Sequence, residues 1–104
     1  MATAVPEIQT STQDFLRALA SETRQQILQL FAGGIELTVG EVAERAGLGQ
    51  STASEHLALL RRGGLVHATR DGKAVRYRVD STRISTELDQ LKAYLTVCCP
   101  PSCP

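Results

Sequence analysis

The sequence predicts a mainly α-helical domain carrying one β-hairpin, in the order α-α-α-α-β-β-α. Three observations carry this expectation. Apolar residues recur at helical spacing through most of the chain. A single Asp71-Gly72 step separates two stretches that read as strands, Leu65 to Arg70 and Ala74 to Val79. Glycine or proline closes four of the five helical runs, at Gly33-Gly34, Gly47, Gly63-Gly64 and Pro100-Pro101.

The elements follow in order. Residues 1–11 are small and polar and read as a flexible arm. Periodicity begins near Thr12, with Phe15, Leu16 and Leu19 on one face. Ser21 is placed to cap a second helix carrying Ile27, Leu28, Leu30 and Phe31. Thr38 and Glu41 have the spacing of a capping box, opening a short helix with Val42, Ala43 and Ala46 inward. After the tight turn Leu48-Gly49-Gln50-Ser51, a helix from about Ser51 to Arg62 buries Ala53, Leu57 and Leu60. In the second strand Val75, Tyr77 and Val79 alternate with Ala74, Arg76 and Arg78, one apolar face and one basic. A last helix, Ser81 to Val97, carries Ile84, Leu88, Leu91 and Leu95. One compact domain over 12–97 is expected, followed by a Cys/Pro tail over 98–104.

The chain has 104 residues and zero formal net charge, but the charge is sorted along it. Residues 50–79 hold Arg61, Arg62, Arg70, Lys73, Arg76 and Arg78 against Glu55 and Asp71, a balance of +4. Residues 1–49 balance to −3 and residues 80–104 to −1. Basic charge confined to one stretch suits a phosphate-facing surface, and equally a solvated basic face. No run approaches the roughly 20 apolar residues of a membrane span. The N-terminus lacks the basic and apolar regions of a signal peptide, so a cytoplasmic location and no membrane partner are expected.

Val39 to Arg62 is two helices joined by a glycine-containing turn, followed at once by a basic hairpin. That is the plan of a winged helix-turn-helix. A second helix that reads DNA must offer short polar groups near its N-terminus, where they reach base edges while free amides face phosphate. Gln50, Ser51, Thr52, Ser54 and His56 supply such groups. Capping alone would also account for Ser51 and Thr52, and surface packing for His56. Arg61 and Arg62 suit either phosphate or the helix dipole. Arg70, Lys73 and Arg76 of the hairpin are candidates for phosphate contact, against a plain soluble sheet face.

Here the sequence resembles a known family. The runs Leu19-Ala-Ser-Glu-Thr-Arg-Gln-Gln-Ile-Leu28, Gln50-Ser-Thr-Ala-Ser-Glu-His-Leu57 and Leu60-Arg-Arg-Gly-Gly-Leu-Val66 are similar to those of the ArsR/SmtB metal-sensing repressors, over about residues 12 to 95. The resemblance implies a homodimer joined through the first and last helices. It also implies binding to double-stranded operator DNA at an imperfect inverted repeat, and derepression on inducer binding. The apolar stripe of the last helix fits the dimer role, and would serve equally as core within one chain.

The family places its metal ligands at several alternative positions. The site before the reading helix needs a Cys-x-Cys pair, and Leu37-Thr38-Val39-Gly40-Glu41 holds none. The zinc site of the last helix needs histidine, and residues 80–97 hold none. There remain Cys98, Cys99 and Cys103, all within the last seven residues. An all-sulfur set selects soft, thiophilic ions. Three sulfurs suit a three-coordinate pyramidal centre better than four-coordinate zinc. As(III) or Sb(III) is therefore expected as inducer, with no organic cofactor. Cadmium, lead, copper(I), thiol oxidation and incidental cysteines are the alternatives. An organic inducer and a protein-binding module that never meets DNA are the other classes. Nothing resembles a nucleophile–base pair, so an enzyme is not expected.

Overall fold

The computed structural model describes residues 7–100. Its order is the expected one: α1 (Thr10–Leu19), α2 (Glu22–Gln29), α3 (Val39–Ala46), α4 (Gln50–Arg62), β1 (Val66–Asp71), β2 (Ala74–Val79) and α5 (Ser81–Cys98).

Local capping sets most helix starts. Ser21 accepts from the Arg24 amide at the start of α2 and Asp80 from the Arg83 amide at the start of α5. At α3 the capping box is complete, with the Thr38 amide on Glu41 Oε1 at 2.9 Å and the Glu41 amide on Thr38 Oγ1 at 3.2 Å. The Thr38 amide, with the rest of that box, holds the Glu41 carboxyl below the usual carboxylate range. A depressed carboxyl pKa supports the fold above its unfolded value, and that support fades as pH falls through the folded one.

Several boundaries differ from the reading of the sequence: α4 starts one residue early, at Gln50, and β1 is shifted by one, to Val66–Asp71. α1 begins at Thr10, inside the stretch expected to be an arm, of which residues 1–6 lie outside the described residues. α2 ends at Gln29, and Leu30 to Gly34 form turns, so the glycine pair closes those turns rather than the helix. α5 runs one residue further than expected and takes Cys98 into the helix, with Cys99 as its C-cap.

The core joins all layers. Phe15, Ala18, Ile27, Phe31, Leu37, Val42, Ala53, Leu57, Leu60, Leu65 and Val66 are essentially closed to solvent. α1 and α3 both pack on α4, so the helix that must present a surface is held from two sides. Leu37 bridges to Tyr77, whose amide donates to the Leu37 carbonyl at 2.8 Å, and this ties the wing back to the loop before α3.

The junction from α4 to β1 depends on Gly63. A Cβ there would lie 2.8 Å from both the Ala18 Cβ and the Asp14 carbonyl oxygen, so the bare backbone is what lets α1 close on the end of α4. Gly63→Ala is expected to cost about 1–3 kcal/mol by overpacking. The thermal midpoint should then fall by roughly 5–20 °C for a domain of this size. Calorimetry checks this, and an unchanged midpoint would show that α1 yields freely.

α1 and α5 are tied by a buried carboxyl. Glu87 is 2% exposed; Thr12 Oγ1 donates to its Oε1 at 2.8 Å and Arg83 Nε to its Oε2 at 3.3 Å. Both oxygens are thus satisfied, which a buried carboxylate requires. In consequence the face of α5 turned to α1 is polar at its centre, and the leucine stripe looks elsewhere. Leu88 is 49% and Leu95 47% exposed, with Leu91 half-buried, while Ile84 packs against the core. Of the two uses open to that stripe, ordinary core is therefore ruled out for Leu88 and Leu95.

Candidate nucleic-acid interface

α4 is positioned by its buried stripe, Ala53, Leu57 and Leu60. The opposite face is then Ser51, Glu55, Ala58 and Arg62, at spacings of four, three and four, and all four are exposed. Gln50 and Ser54 flank this stripe on the α3 side, lining a shallow concavity with Val39, Ser51 and Glu55. Thr52 is exposed on the other flank, the side of the stripe on which His56 lies. Of the expected reading groups, Gln50, Ser51, Thr52, Ser54 and Arg62 thus all lie open on one helix.

His56 is placed differently. It is half-buried, with its Nδ1 3.4 Å from Arg24 Nη1. That guanidinium also donates to the Ala18 carbonyl at 2.9 Å and the Arg17 carbonyl at 3.0 Å, capping the end of α1. Arg24 has no local pattern announcing this role, because its acceptors belong to the preceding helix.

Capping does not account for Ser51 and Thr52. Gly49 holds the cap position of α4, and no side chain among the described residues accepts from the first-turn amides there. Those amides are left for an acceptor from outside the chain, which at a helix N-terminus suits phosphate.

The wing divides its cations between two faces. In the register Val66↔Val79 to Asp71↔Ala74, His67, Thr69, Asp71, Arg76 and Arg78 share one face, while Arg70 falls with Val75 and Tyr77 on the other. Arg70 and Arg76, expected together, are therefore on opposite faces. Arg76 Nε lies 3.7 Å from Asp71 Oδ2 and Arg78 Nη1 3.9 Å from Glu36 Oε1, so each must exchange a carboxylate to reach a phosphate. Arg70 has no such partner among the described residues and is exposed. The turn itself is Gly72-Lys73, one residue later than expected, because Asp71 still pairs with Ala74. Gly72 has φ +63° and no non-glycine residue among the described residues has positive φ, the pattern of a type II′ turn that leaves Lys73 exposed at the tip.

The chain aligns with known proteins across this region. The family described as Helix-turn-helix domain matches residues 19–68. The transcriptional activator HlyU of Vibrio cholerae is 42% identical over 76 residues, covering 73% of this chain and 69% of that one. The chain belongs to the ArsR-like winged helix-turn-helix regulators. Among the members it resembles, a probable mercury resistance operon repressor of Streptomyces lividans is 44% identical over 75 residues, 72% of this chain and 59% of that one. A homodimeric winged helix-turn-helix DNA-binding domain of Mycobacterium bovis, a possible ArsR-family regulator, superposes with TM-score 0.64 and 36% identity, covering 82% of this chain and 80% of that one. A structure described as a possible transcriptional regulator for arsenical resistance superposes with TM-score 0.66 and 30% identity, covering 79% and 84%. As in other ArsR-like regulators, α3 and α4 form the helix-turn-helix of this chain and β1 and β2 its wing. No helix among the described residues is long and apolar enough to cross a membrane.

At the C-terminal end of α5, the Cys98 and Cys99 sulfurs are joined to each other as a disulfide between neighbouring residues. Cys99 borders the open apolar face formed by Leu88, Leu91, Lys92, Leu95 and Thr96. Cys103 lies outside the described residues. Among those residues no three His, Cys, Asp or Glu side chains come together as a metal site.

Proposed function

We propose that this chain is a homodimeric repressor of a metal(loid) resistance operon, released from its operator when trivalent arsenic or antimony binds Cys98, Cys99 and Cys103. The observation that carries this reading is the position of the thiol pair. Cys98 ends α5 and Cys99 caps it, on the border of the uncovered Leu88–Leu95 stripe, so a ligand captured there bears directly on the helix offered to a second copy.

The chemistry supports it. As thiols, the three cysteines give up three protons, which leave with the three hydroxyls of arsenous acid as water, and three As–S bonds make a three-coordinate pyramid. Relatives described as regulators of mercury and arsenical resistance are consistent with a thiophilic ligand. In the dimer the two α4 helices enter successive major grooves of an imperfect inverted repeat. Ligand at α5 alters their spacing and favours the free protein. The linkage is reciprocal, so arsenite binds the free dimer more tightly than the DNA-bound one.

The test follows operator release by fluorescence anisotropy, using the DNA upstream of the protein's own gene. Reduced protein is titrated with arsenite, antimonite, cadmium, lead and zinc. Release by arsenite and antimonite at lower concentration than by zinc is expected. Release by zinc alone, or by none of them, would overturn the reading. The adjacency of Cys98 and Cys99 in the chain carries a second reading, release by oxidation. Two thiols give up two electrons and two protons to peroxide, which leaves as water, and peroxide in place of arsenite tests it.

A further inference from the structure

We propose that Glu55 is a specificity-determining residue that accepts a hydrogen bond from the exocyclic amine of a cytosine in the major groove. The proposal rests on the reading of α4 as the DNA-reading helix and adds a base identity to it.

Glu55 occupies the middle of the outward stripe, one turn beyond Ser51 and one before Ala58. It is exposed and borders the concavity of Gln50, Ser51 and Ser54. No cation lies within ion-pair distance of it among the described residues, where the ion pairs involve Asp14, Glu36, Asp71, Asp80 and Glu87 instead. The reason is local. The residues three and four away on either side are Ser51, Thr52, Ala58 and Leu59, none of them charged. The carboxylate is therefore neither part of a surface ion pair nor part of the packing of α4.

Against a duplex, such a group is repelled by phosphate on every sequence. It gains only where it meets a hydrogen-bond donor on a base edge. In the major groove guanine offers two acceptors, thymine an acceptor and a methyl group, and adenine a donor beside an acceptor. Cytosine offers its amine donor with no acceptor on its own edge. A carboxylate at the centre of the reading stripe thus selects cytosine and rejects the other three bases. A repulsion that only the right base relieves is a means of specificity. The small neighbours Ser51 and Ala58 leave room for the carboxylate to reach the edge.

The test is selection of bound duplexes from a random-sequence pool by the intact wild-type protein and by Glu55→Gln and Glu55→Ala. Wild type is expected to enrich an inverted repeat with cytosine at one position of each half-site, by roughly fivefold or more over other bases. Glu55→Ala should lose the preference at that position alone and bind unrelated DNA more tightly, since the repulsion is gone. Glu55→Gln should move the preference toward adenine, the partner of a side-chain amide. Identical preferences in wild type and Glu55→Ala would overturn the assignment while leaving DNA reading by α4 intact. A wild-type protein that enriches no sequence would defeat the DNA reading, and this assignment with it.

Discussion

A chain in which Cys98 and Cys99 are both serine is expected to hold its operator as tightly as the parent and to stay there when arsenite is added. The substituted residues are the last of α5 and its C-cap, far along the chain from α4, and neither belongs to the core. Basal affinity should therefore change by less than about twofold, the scale of surface substitutions. The response should change completely. In the parent, arsenite is expected to weaken operator binding roughly 5- to 150-fold, the usual span of allosteric coupling. In the double variant the ratio of affinities with and without arsenite should be about one, because serine hydroxyls are not soft donors. Anisotropy titrations on the same duplex read both numbers. A double variant that still releases would place the inducer elsewhere.

The second large effect belongs to the leucine stripe. Replacing Leu88 and Leu95 with aspartate is expected to yield a monomer that keeps its helical content and loses operator affinity. Each leucine is about half exposed in the single chain, so covering it in a dimer regains roughly 1 kcal/mol, about half the value of full burial. Four leucines across a two-fold axis supply about 4 kcal/mol, close to a thousandfold in the dimerisation constant. Aspartate removes that term and adds the cost of desolvating four carboxylates. The monomer contacts one half-site only, so operator affinity should fall by at least about a hundredfold. Sedimentation velocity and anisotropy together check this. A variant that sediments as a dimer would show that copies meet on another face.

The core is insulated from both changes by the tie between α1 and α5. Thr12 and Arg83 satisfy Glu87 inside one subunit, so α5 is anchored to its own domain before any partner arrives. The same helix then offers its apolar side outward.

What the sequence determined by itself is local. Capping by Ser21 and Thr38, the buried positions Ala53, Leu57 and Leu60, the two strands and the order of all seven elements follow from interactions within a few residues. Helical and strand periods alone sort those side chains by face. The tertiary structure alone decided which of those faces is covered. Glu87 is buried because Thr12, 75 residues away, meets it, and this turns Leu88 and Leu95 to the outside. His56 leans toward Arg24, 32 residues earlier, and register puts Arg70 and Arg76 on opposite sides of the wing. The physical reason is that periodicity records which side chains point together, whereas burial depends on partners brought near only when the chain has closed.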